Sequence, residues 1–515
     1  MDQPVVISVL VAGAILAALM AALGMAGAVH VTSRRAHGYM HFIFYAMLLM
    51  VALANLLSGR DLSSSNMKFD EVVVIVRHPL VSLLQPLASL LLLTLAGERL
   101  ITHWIRRDRA AQAPSALLVA FLTFWLCTVA APALLGAHPH VSHDYVYPLV
   151  IGFAAVLATA TERDLAFGAA RNALLLFMFA GLLLIPLKPS LVLDASYTQG
   201  LLPGVPRLAG LAPHAVSLGM LAQLGLLCLL ARPLPYTWLN RLAWAMGLGV
   251  LFLAQSKTAW ISFILCSACI LVVRRGPSFM RRVGDPVRPE FGIVAVLGFM
   301  VAVAGLAALL MFGDIDARLS SFFDSAQGAQ LASMTGRDQI WAIANDEWQR
   351  NPVFGYGPTL WDASFREAIG MPNATHAHNQ FMDTLSRSGT VGATALVLYV
   401  LVLLVLSLRY ARASGGLTLA LFVALVLRAI SEVPLLLFGY GPELIAHILL
   451  LMALAAAGRE ARERKRALAK APPPMPRVAP AFARNAGNAR NAANPRDPNP
   501  PLATARLHPA VPLKP

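Results

Sequence analysis

The chain has 515 residues, 57% hydrophobic and only 13% charged, with a mean hydropathy of +0.65. Soluble proteins carry about 25% charged residues, so a soluble enzyme of ordinary make is excluded, and the excess of apolar side chains excludes disorder over most of the length. Forty-one Lys and Arg against 26 Asp and Glu give +15, a balance that points to nucleic acid or to a membrane depending on where the charges sit.

Apolar runs of about 20 residues, long enough to cross a hydrocarbon layer about 30 Å thick, recur along the chain. They predict an all-α polytopic membrane protein with 12–13 transmembrane helices. The spans fall near 5–29, 39–58, 80–97, 115–135, 145–161, 172–187, 213–231, 241–255, 258–273, 291–312, 390–408, 416–431 and 436–457. A signal peptide is the rival reading of the first run. Its leading Met1-Asp2-Gln3 is acidic rather than basic, so a retained helix is expected.

Basic residues occupy every second connection. Arg34 and Arg35, then Arg99, Arg106, Arg107 and Arg109, then Arg163 and Arg171 begin the series. Arg232, Arg241, Arg274, Arg275, Arg281, Arg282, Arg288, Arg409 and Arg412 continue it. By the positive-inside rule these connections face the cytoplasm, with the N-terminus outside and the C-terminus inside. The four cysteines, Cys127, Cys228, Cys266 and Cys269, all lie within spans. Cys266-Ser-Ala-Cys269 has CxxC spacing but no polar company in the sequence, so packing is expected rather than metal or redox work.

Residues 1–458 therefore read as one transmembrane domain, and 459–515 as a tail. The tail holds 12 Lys or Arg against three acids, hence +9 of the +15, and 12 of the 34 prolines. That composition predicts a disordered cytoplasmic segment whose first part, Arg459 to Arg466, is attracted to anionic lipid. Nothing aromatic or glycine-rich accompanies the charge, so no nucleic-acid partner is expected.

The same alternation places the loop 188–213, the connection Gln255-Ser256-Lys257 and the long polar insert 313–388 outside. A connection that long is functional or disordered as a rule. This one has helical periodicity: Ile340, Trp341, Ile343, Ala344 and Trp348 share a face, with Thr335 or Asp338 able to cap its start. A turn at Gly355-Tyr356-Gly357-Pro358 follows, then a second amphipathic stretch near Leu360–Ile369, together forming a helical lid.

Among the cations on this outer side, three are singled out as candidates: Arg207, Lys257 and Arg337. Lys257 lies between two spans with two polar neighbours, near membrane depth, where a cation is costly and a functional candidate by default; the bland alternative is a snorkelling interfacial side chain. Several cations converging outside the bilayer suit a polyanion such as a lipid-linked phosphate or pyrophosphate. His376-Ala377-His378-Asn379-Gln380-Phe381-Met382-Asp383 then leads into a span. A neutral His378 at the interface can act as general base toward a hydroxyl. Metal binding by His376, His378 and Asp383 and a plain interfacial histidine are the alternatives. His138, His140 and His143 beside Asp144 read as a solvated turn. Phe-Gly-Tyr-Gly-Pro occurs twice, at 354–358 and 438–442, as a turn sequence or a sugar-contacting pair. Arg428 and Glu432 on the penultimate span either pair inside the bundle or reach the cleft, and Asn373-Ala-Thr375 is treated as an accidental sequon.

The motifs resemble those of the O-antigen ligase and polysaccharide polymerase superfamily (Wzy/WaaL type, Wzy_C domain). His378-Asn379 followed after nine residues by Gly389-Thr390-Val391-Gly392 is similar to its His-Asn…Gly-x-x-Gly signature. Gly336-Arg337-x-x-Ile340-Trp341 with Pro352-x-x-Gly355-x-Gly357 is similar to the start of its large periplasmic loop, and Ser256-Lys257-Thr258 to its Ser-Arg/Lys segment. Arg207-x-x-Gly210 through His214 to Gly219 resembles its Arg-x-x-Gly…His-Pro-Asn stretch, with Ala215-Val216 replacing Pro-Asn. The likeness is close over about 207–392, within an expected ligase-like core of about 207–408.

The resemblance implies a GT-C-like inverting glycosyltransferase of the bacterial inner membrane, with its active site facing the periplasm and no metal or cofactor. It implies an undecaprenyl-pyrophosphate-linked glycan as donor and a glycan or glycolipid hydroxyl as acceptor. His378 is the expected base, and Arg337, Lys257 and Arg207 the pyrophosphate ligands; His214, His376, Asn379 and Asp383 are possible accessory residues. The Ser-Lys-Thr-Ala and His-Ala-His-Asn wording favours a polymerase over a ligase acting on lipid A-core or protein. A flippase of an anionic lipid-linked substrate is the alternative from another class, but internal repeats and paired broken helices are not evident.

Overall fold

The computed structural model describes residues 38–62, 78–106, 114–195, 204–287, 289–312, 337–372 and 374–470, with scattered positions between 15 and 30 and at 202. Most of the expected first span, Arg34, Arg35, Arg107, Arg109, Arg288, Thr335, Gly336, Asn373 and the tail beyond Lys470 lie outside the described residues. The chain divides into two units, Met1–Lys465 and Arg466–Pro515, and the candidate site belongs to the first.

Among the described residues the protein is almost wholly helical, as its apolar periodicity requires. The helices are α1 (Ile43–Leu56), α2 (Pro79–Arg106), α3 (Ser115–Leu135), α4 (Val146–Val156) and α5 (Ala160–Leu183). After the two-residue antiparallel strands β1 (Leu193–Asp194) and β2 (Arg207–Leu208) come α6 (Ala215–Ala231), α7 (Thr237–Leu253), α8 (Lys257–Val283) and α9 (Pro289–Phe312). The polar insert contributes α10 (Arg337–Arg350) and α11 (Ala363–Ala368), and α12 (Gln380–Tyr410), α13 (Leu417–Ser431) and α14 (Leu444–Lys470) complete the series.

Six of these, α2, α3, α5, α8, α12 and α14, are long and apolar enough to cross a membrane, and shorter apolar helices lie between them. This is a multi-pass all-α membrane protein. Each of the twelve expected spans after the first has a helix over its centre, although the ends move. The span expected at 172–187 starts at Ala160, where Thr159 and Glu162 form a reciprocal capping box; that polar turn hid the true start. The last helix runs beyond its apolar stretch, through Arg459, to Lys470.

The apolar half of α14 is the centre of the bundle, with Leu449, Leu450, Leu454, Ala455 and Ala456 wholly buried. Its His447 is satisfied by Tyr399 of α12, whose hydroxyl lies 2.6 Å from Nε2. Cys266, expected to lack polar company, sits in a small polar seam: Gln223 Nε2 donates to Ser262 Oγ at 2.7 Å, and Cys266 Sγ donates to the Ala420 carbonyl.

Two backbone breaks shape the end of the bundle that carries the insert. Helix α3 widens into a π turn at Leu126–Ala130. Pro132 has no N–H to give the Thr128 carbonyl four residues earlier, and Ser388 Oγ donates to that carbonyl instead, at 2.9 Å. Helix α12 opens at Gly389 (φ 62°, ψ −163°). The segment 352–357 enters the opening: Thr390 and Val391 donate to the Pro352 and Val353 carbonyls, while Tyr356 and Gly357 donate to those of Ser386 and Arg387. A Cβ at Gly389 would lie 2.3 Å from the Val353 carbonyl, so both the space and the positive φ require glycine. The Gly-x-x-Gly signature is thus the place where the insert is stitched into a membrane helix.

Gly389→Ala is expected to cost at least about 1–3 kcal/mol, the price of backbone strain alone, and to lower Tm by several degrees in detergent. Gly168→Ala, at a helical position with open space around an added Cβ, is expected to leave Tm unchanged or slightly raised.

Candidate functional site

Helix ends converge around one cleft. Helices α6, α8 and α12 begin there, each behind a capping side chain: His214, Ser256 and Asn379 accept from the backbone N–H of Ser217, Ala259 and Met382. Helix α13 ends there at Glu432. Three helix N-termini give the cleft a positive bias before any side chain is counted.

The loop His376-Ala377-His378 is held from several sides. Ala377, fully buried, donates its N–H to Asp383 Oδ1 (3.1 Å), and its carbonyl accepts from Trp341 Nε1 of α10 (2.9 Å). Asp383 in turn pairs with Arg387 at 2.9 Å, both deeply buried. Arg387 also donates to the Pro358 carbonyl and lies over the Phe438 ring. Trp341 belongs to the apolar face expected of α10, which builds a small core with Ile340, Ala344, Leu360 and Trp361. The second amphipathic stretch is shorter than expected: Trp361 takes a left-handed turn (φ 69°), and Asp362 caps a six-residue helix. His378 is itself left-handed, at φ 49°, as is Gln255 at φ 48° beside Lys257. Such conformations are strained for residues with a Cβ and gather at functional sites.

Hydrogen bonding separates the three cleft histidines. His214 Nδ1 accepts from Ser217 N–H and its Nε2 lies 3.2 Å from Ser217 Oγ, so both nitrogens serve the cap. His376 Nδ1 accepts from His378 N–H at 3.1 Å, and its Nε2 lies 3.2 Å from Glu432 Oε2. His378 turns Nδ1 toward the same carboxylate oxygen, at 3.8 Å, and its Nε2 has no hydrogen-bond partner among the described residues.

Burial alone would raise the Glu432 carboxyl, but the hydrogen bond from His376 and the nearby His376, His378 and His214 outweigh it and hold the group at about 2. Burial, reinforced by His376, Arg337 and His214 against the pull of Glu432, brings His378 down to about 4. His214 remains accessible from the cleft, yet the helices packed around it desolvate the imidazole. That effect, with Arg428 and His376, holds it below its ordinary value against the opposing Glu432 and Glu443. At neutral pH the cleft therefore contains an ionised carboxylate and a neutral, available imidazole. The nearest ligand atoms of His376, His378 and Glu432 lie within 4.8 Å of one another, a spacing that a divalent ion can also bridge. The third member of that cluster is Glu432, where the sequence suggested Asp383.

The expected site residues fall into two groups. His378, His376, His214 and Arg337 come together electrostatically with Glu432. Arg207 and Lys257 flank the α7–α8 turn: Arg207 Nε donates to the Ala254 carbonyl at 3.2 Å, and Lys257 opens α8, exposed. Helix α6 links the groups, because it carries His214 at its start and packs Gly219 against Ser256. Asn379 and Asp383 shape the histidine loop. Arg428 pairs with Glu443 at 3.2 Å and lines a small cavity between α6, α8 and α13. Both Phe-Gly-Tyr-Gly-Pro turns dock on the loop bearing His138 and Asp144: Tyr356 stacks on His138, and Gly439 N–H donates to the Asp144 carbonyl.

Of two further residues of the site, sequence reasoning left Glu432 open between pairing inside the bundle and reaching the cleft, and did not mark Arg60. Glu432 carried a signal, an acid at the end of an apolar span. Arg60 carried none. It clamps the segment before His214, donating to the carbonyls of Leu191, Gly210, Ala212 and Pro213.

Residues 242–397, which include Lys257, Arg337 and the histidine loop, match the O-antigen ligase family model, Wzy_C. The matched segment, under a third of the chain, makes this part similar to the O-antigen ligase and polysaccharide polymerase superfamily. Arg207, His214 and Glu432 lie outside the matched segment. No curated protein matches the chain. Members of the superfamily are glycosyltransferase-like enzymes acting on lipid-linked glycans in a membrane.

Asp383→Ala is expected to cost about 3–5 kcal/mol, because it strands Arg387 as an unpaired buried charge. Replacing both, Asp383→Ala with Arg387→Met, is expected to recover most of that loss in thermal unfolding of the purified protein.

Proposed function

We propose that the protein is a membrane glycosyltransferase that moves glycan from an undecaprenyl-pyrophosphate carrier onto a sugar hydroxyl, without metal or cofactor, at the periplasmic face of the bacterial inner membrane. One observation carries the reading: of three imidazoles in the cleft, only His378 keeps a ring nitrogen without a partner among the described residues. His378 Nε2 takes the acceptor hydroxyl proton as the acceptor oxygen attacks the anomeric carbon. The bond from that carbon to the pyrophosphate oxygen breaks on the opposite face, its electron pair leaving with the pyrophosphate, so configuration inverts. Negative charge grows on the leaving group. Arg337 and Lys257, with Arg207 beside the α7–α8 turn and the helix N-termini, stabilise it more in the transition state than in the bound donor.

The wording of the Ser256-Lys257 and His376–Asn379 segments favours polymerisation, a second lipid-linked repeat unit serving as acceptor. Purified protein supplied with a carrier-linked repeat unit alone should then form a ladder of longer chains. Transfer that requires lipid A-core acceptor would make it a ligase. Movement of the donor across a sealed vesicle without bond formation would make it a flippase.

His378→Ala is expected to reduce transfer by at least about 100-fold while donor binding persists; transfer near the wild-type rate would overturn the base assignment. Since the neutral imidazole is the active form and His378 is held at about 4, kcat/KM should stay level through pH 6.5 and fall only as pH approaches 4. Removing the Arg337 cation relieves the penalty on the imidazolium, so Arg337→Gln should move that acid limb to higher pH. Activity should survive EDTA, and a loss restored by a divalent ion would replace the base reading with a metal one.

A further inference from the structure

Glu432, assigned from sequence no role beyond pairing in the bundle or reaching the cleft, lies outside the matched family segment, yet it is fastened to the histidine loop from both sides. Asn379 Nδ2 donates to the Ile430 carbonyl at 3.4 Å, and Leu435 N–H donates to Gln380 Oε1 at 2.8 Å. The residues directly after His378 thus hold the chain two residues before and three residues after Glu432. Its placement is a consequence of two specific contacts between α12 and the end of α13, made across more than 50 residues of sequence.

The proton positions follow from the partners. His376 Nδ1 accepts from the backbone N–H of His378, so a neutral His376 carries its proton on Nε2 and donates it to Glu432 Oε2, 3.2 Å away. His378 presents Nδ1 to the same oxygen at 3.8 Å. An approach of less than 1 Å brings that contact to hydrogen-bond length, and catalytic hydrogen bonds commonly tighten only when substrate is bound. With its proton on Nδ1, His378 keeps the lone pair on Nε2. Side-chain exposure rises from 11% at Glu432 to 21% at His376 and 31% at His378, so of the two histidines facing Glu432 the nitrogen left open belongs to the more exposed one.

We propose that Glu432 is a positioning residue for the transfer reaction: it receives Nε2–H of His376 and Nδ1–H of His378, fixing the tautomer that turns the Nε2 lone pair of His378 toward the acceptor hydroxyl. The inference rests on His378 being the base. When the acceptor proton arrives on Nε2, His378 becomes a cation with Arg337, His376 and His214 around it, and the Glu432 carboxylate is the anion that faces it. No proton passes to Glu432; it stays ionised while the acceptor–carbon bond forms and the pyrophosphate leaves. An imidazolium without that partner would form near the Arg337 cation with no carboxylate facing it, and an imidazole in the other tautomer would offer the acceptor an N–H where a lone pair is needed.

The test is steady-state transfer by the purified full chain in lipid, with a pyrophosphate-linked glycan donor, for Glu432→Gln and Glu432→Asp beside His378→Ala. Glu432→Gln keeps the size but loses the charge; kcat should fall by at least about 100-fold with the donor KM within about threefold. Glu432→Asp keeps the charge one methylene further back and should regain part of the kcat, and it serves alone if the Gln variant does not fold. A wild-type kcat in Glu432→Gln, a raised donor KM with unchanged kcat, or no recovery by Asp in a folded protein would overturn the positioning role. Any of these with an inactive His378→Ala leaves the base assignment standing, whereas an active His378→Ala removes that assignment itself.

Discussion

The buried ion pair between Asp383 and Arg387 is the joint on which the half of the molecule that carries the insert turns. Its carboxylate holds the histidine loop through Ala377, and its guanidinium reaches the carbonyl of one glycine-rich turn and the aromatic ring of the other. Two charges taken out of water are stable only when their remaining hydrogen-bonding capacity is also used, and here the second carboxylate oxygen and a further guanidinium N–H are spent on different segments. The pair therefore converts a desolvation demand into architecture. The insert, the start of α12 and the segment leading into α14 are assembled around one satisfied pair of charges.

The fold was largely legible because the membrane imposes a coarse code. Backbone groups in lipid must be paired within the chain, so apolar length alone marks α2, α3, α8 and α12. The code fails where a helix carries polar residues for local reasons, as α5 does with its capping box at Thr159 and Glu162, and where helices are interrupted. Neither the opening at Gly389 nor the π turn before Pro132 is visible as periodicity; each becomes intelligible only when the partner that fills the gap is seen.

The site was legible by residue type and incomplete by partner. Cations and a histidine pair on the side read as outer were marked by position, and Arg337 acts electrostatically on His378. What the sequence could not supply is who faces whom: Glu432 lies 54 residues after His378 and reaches it through the Asn379 and Gln380 contacts, while Arg60 acts through carbonyls that any sequence could provide. Asp383 shows the opposite case. Its spacing from the histidines suggested a shared ligand, and it serves instead as backbone support for the loop.

The seam at Gly389 has a consequence for how such a protein can diversify. The register of the insert against α12 is set between 352–357 and 386–391. Chain inserted before Arg337, or between the first glycine-rich turn and the histidine loop, leaves that seam intact. One scaffold can therefore change the outline of its insert by lengthening or shortening it, as a handle is changed on a fixed blade.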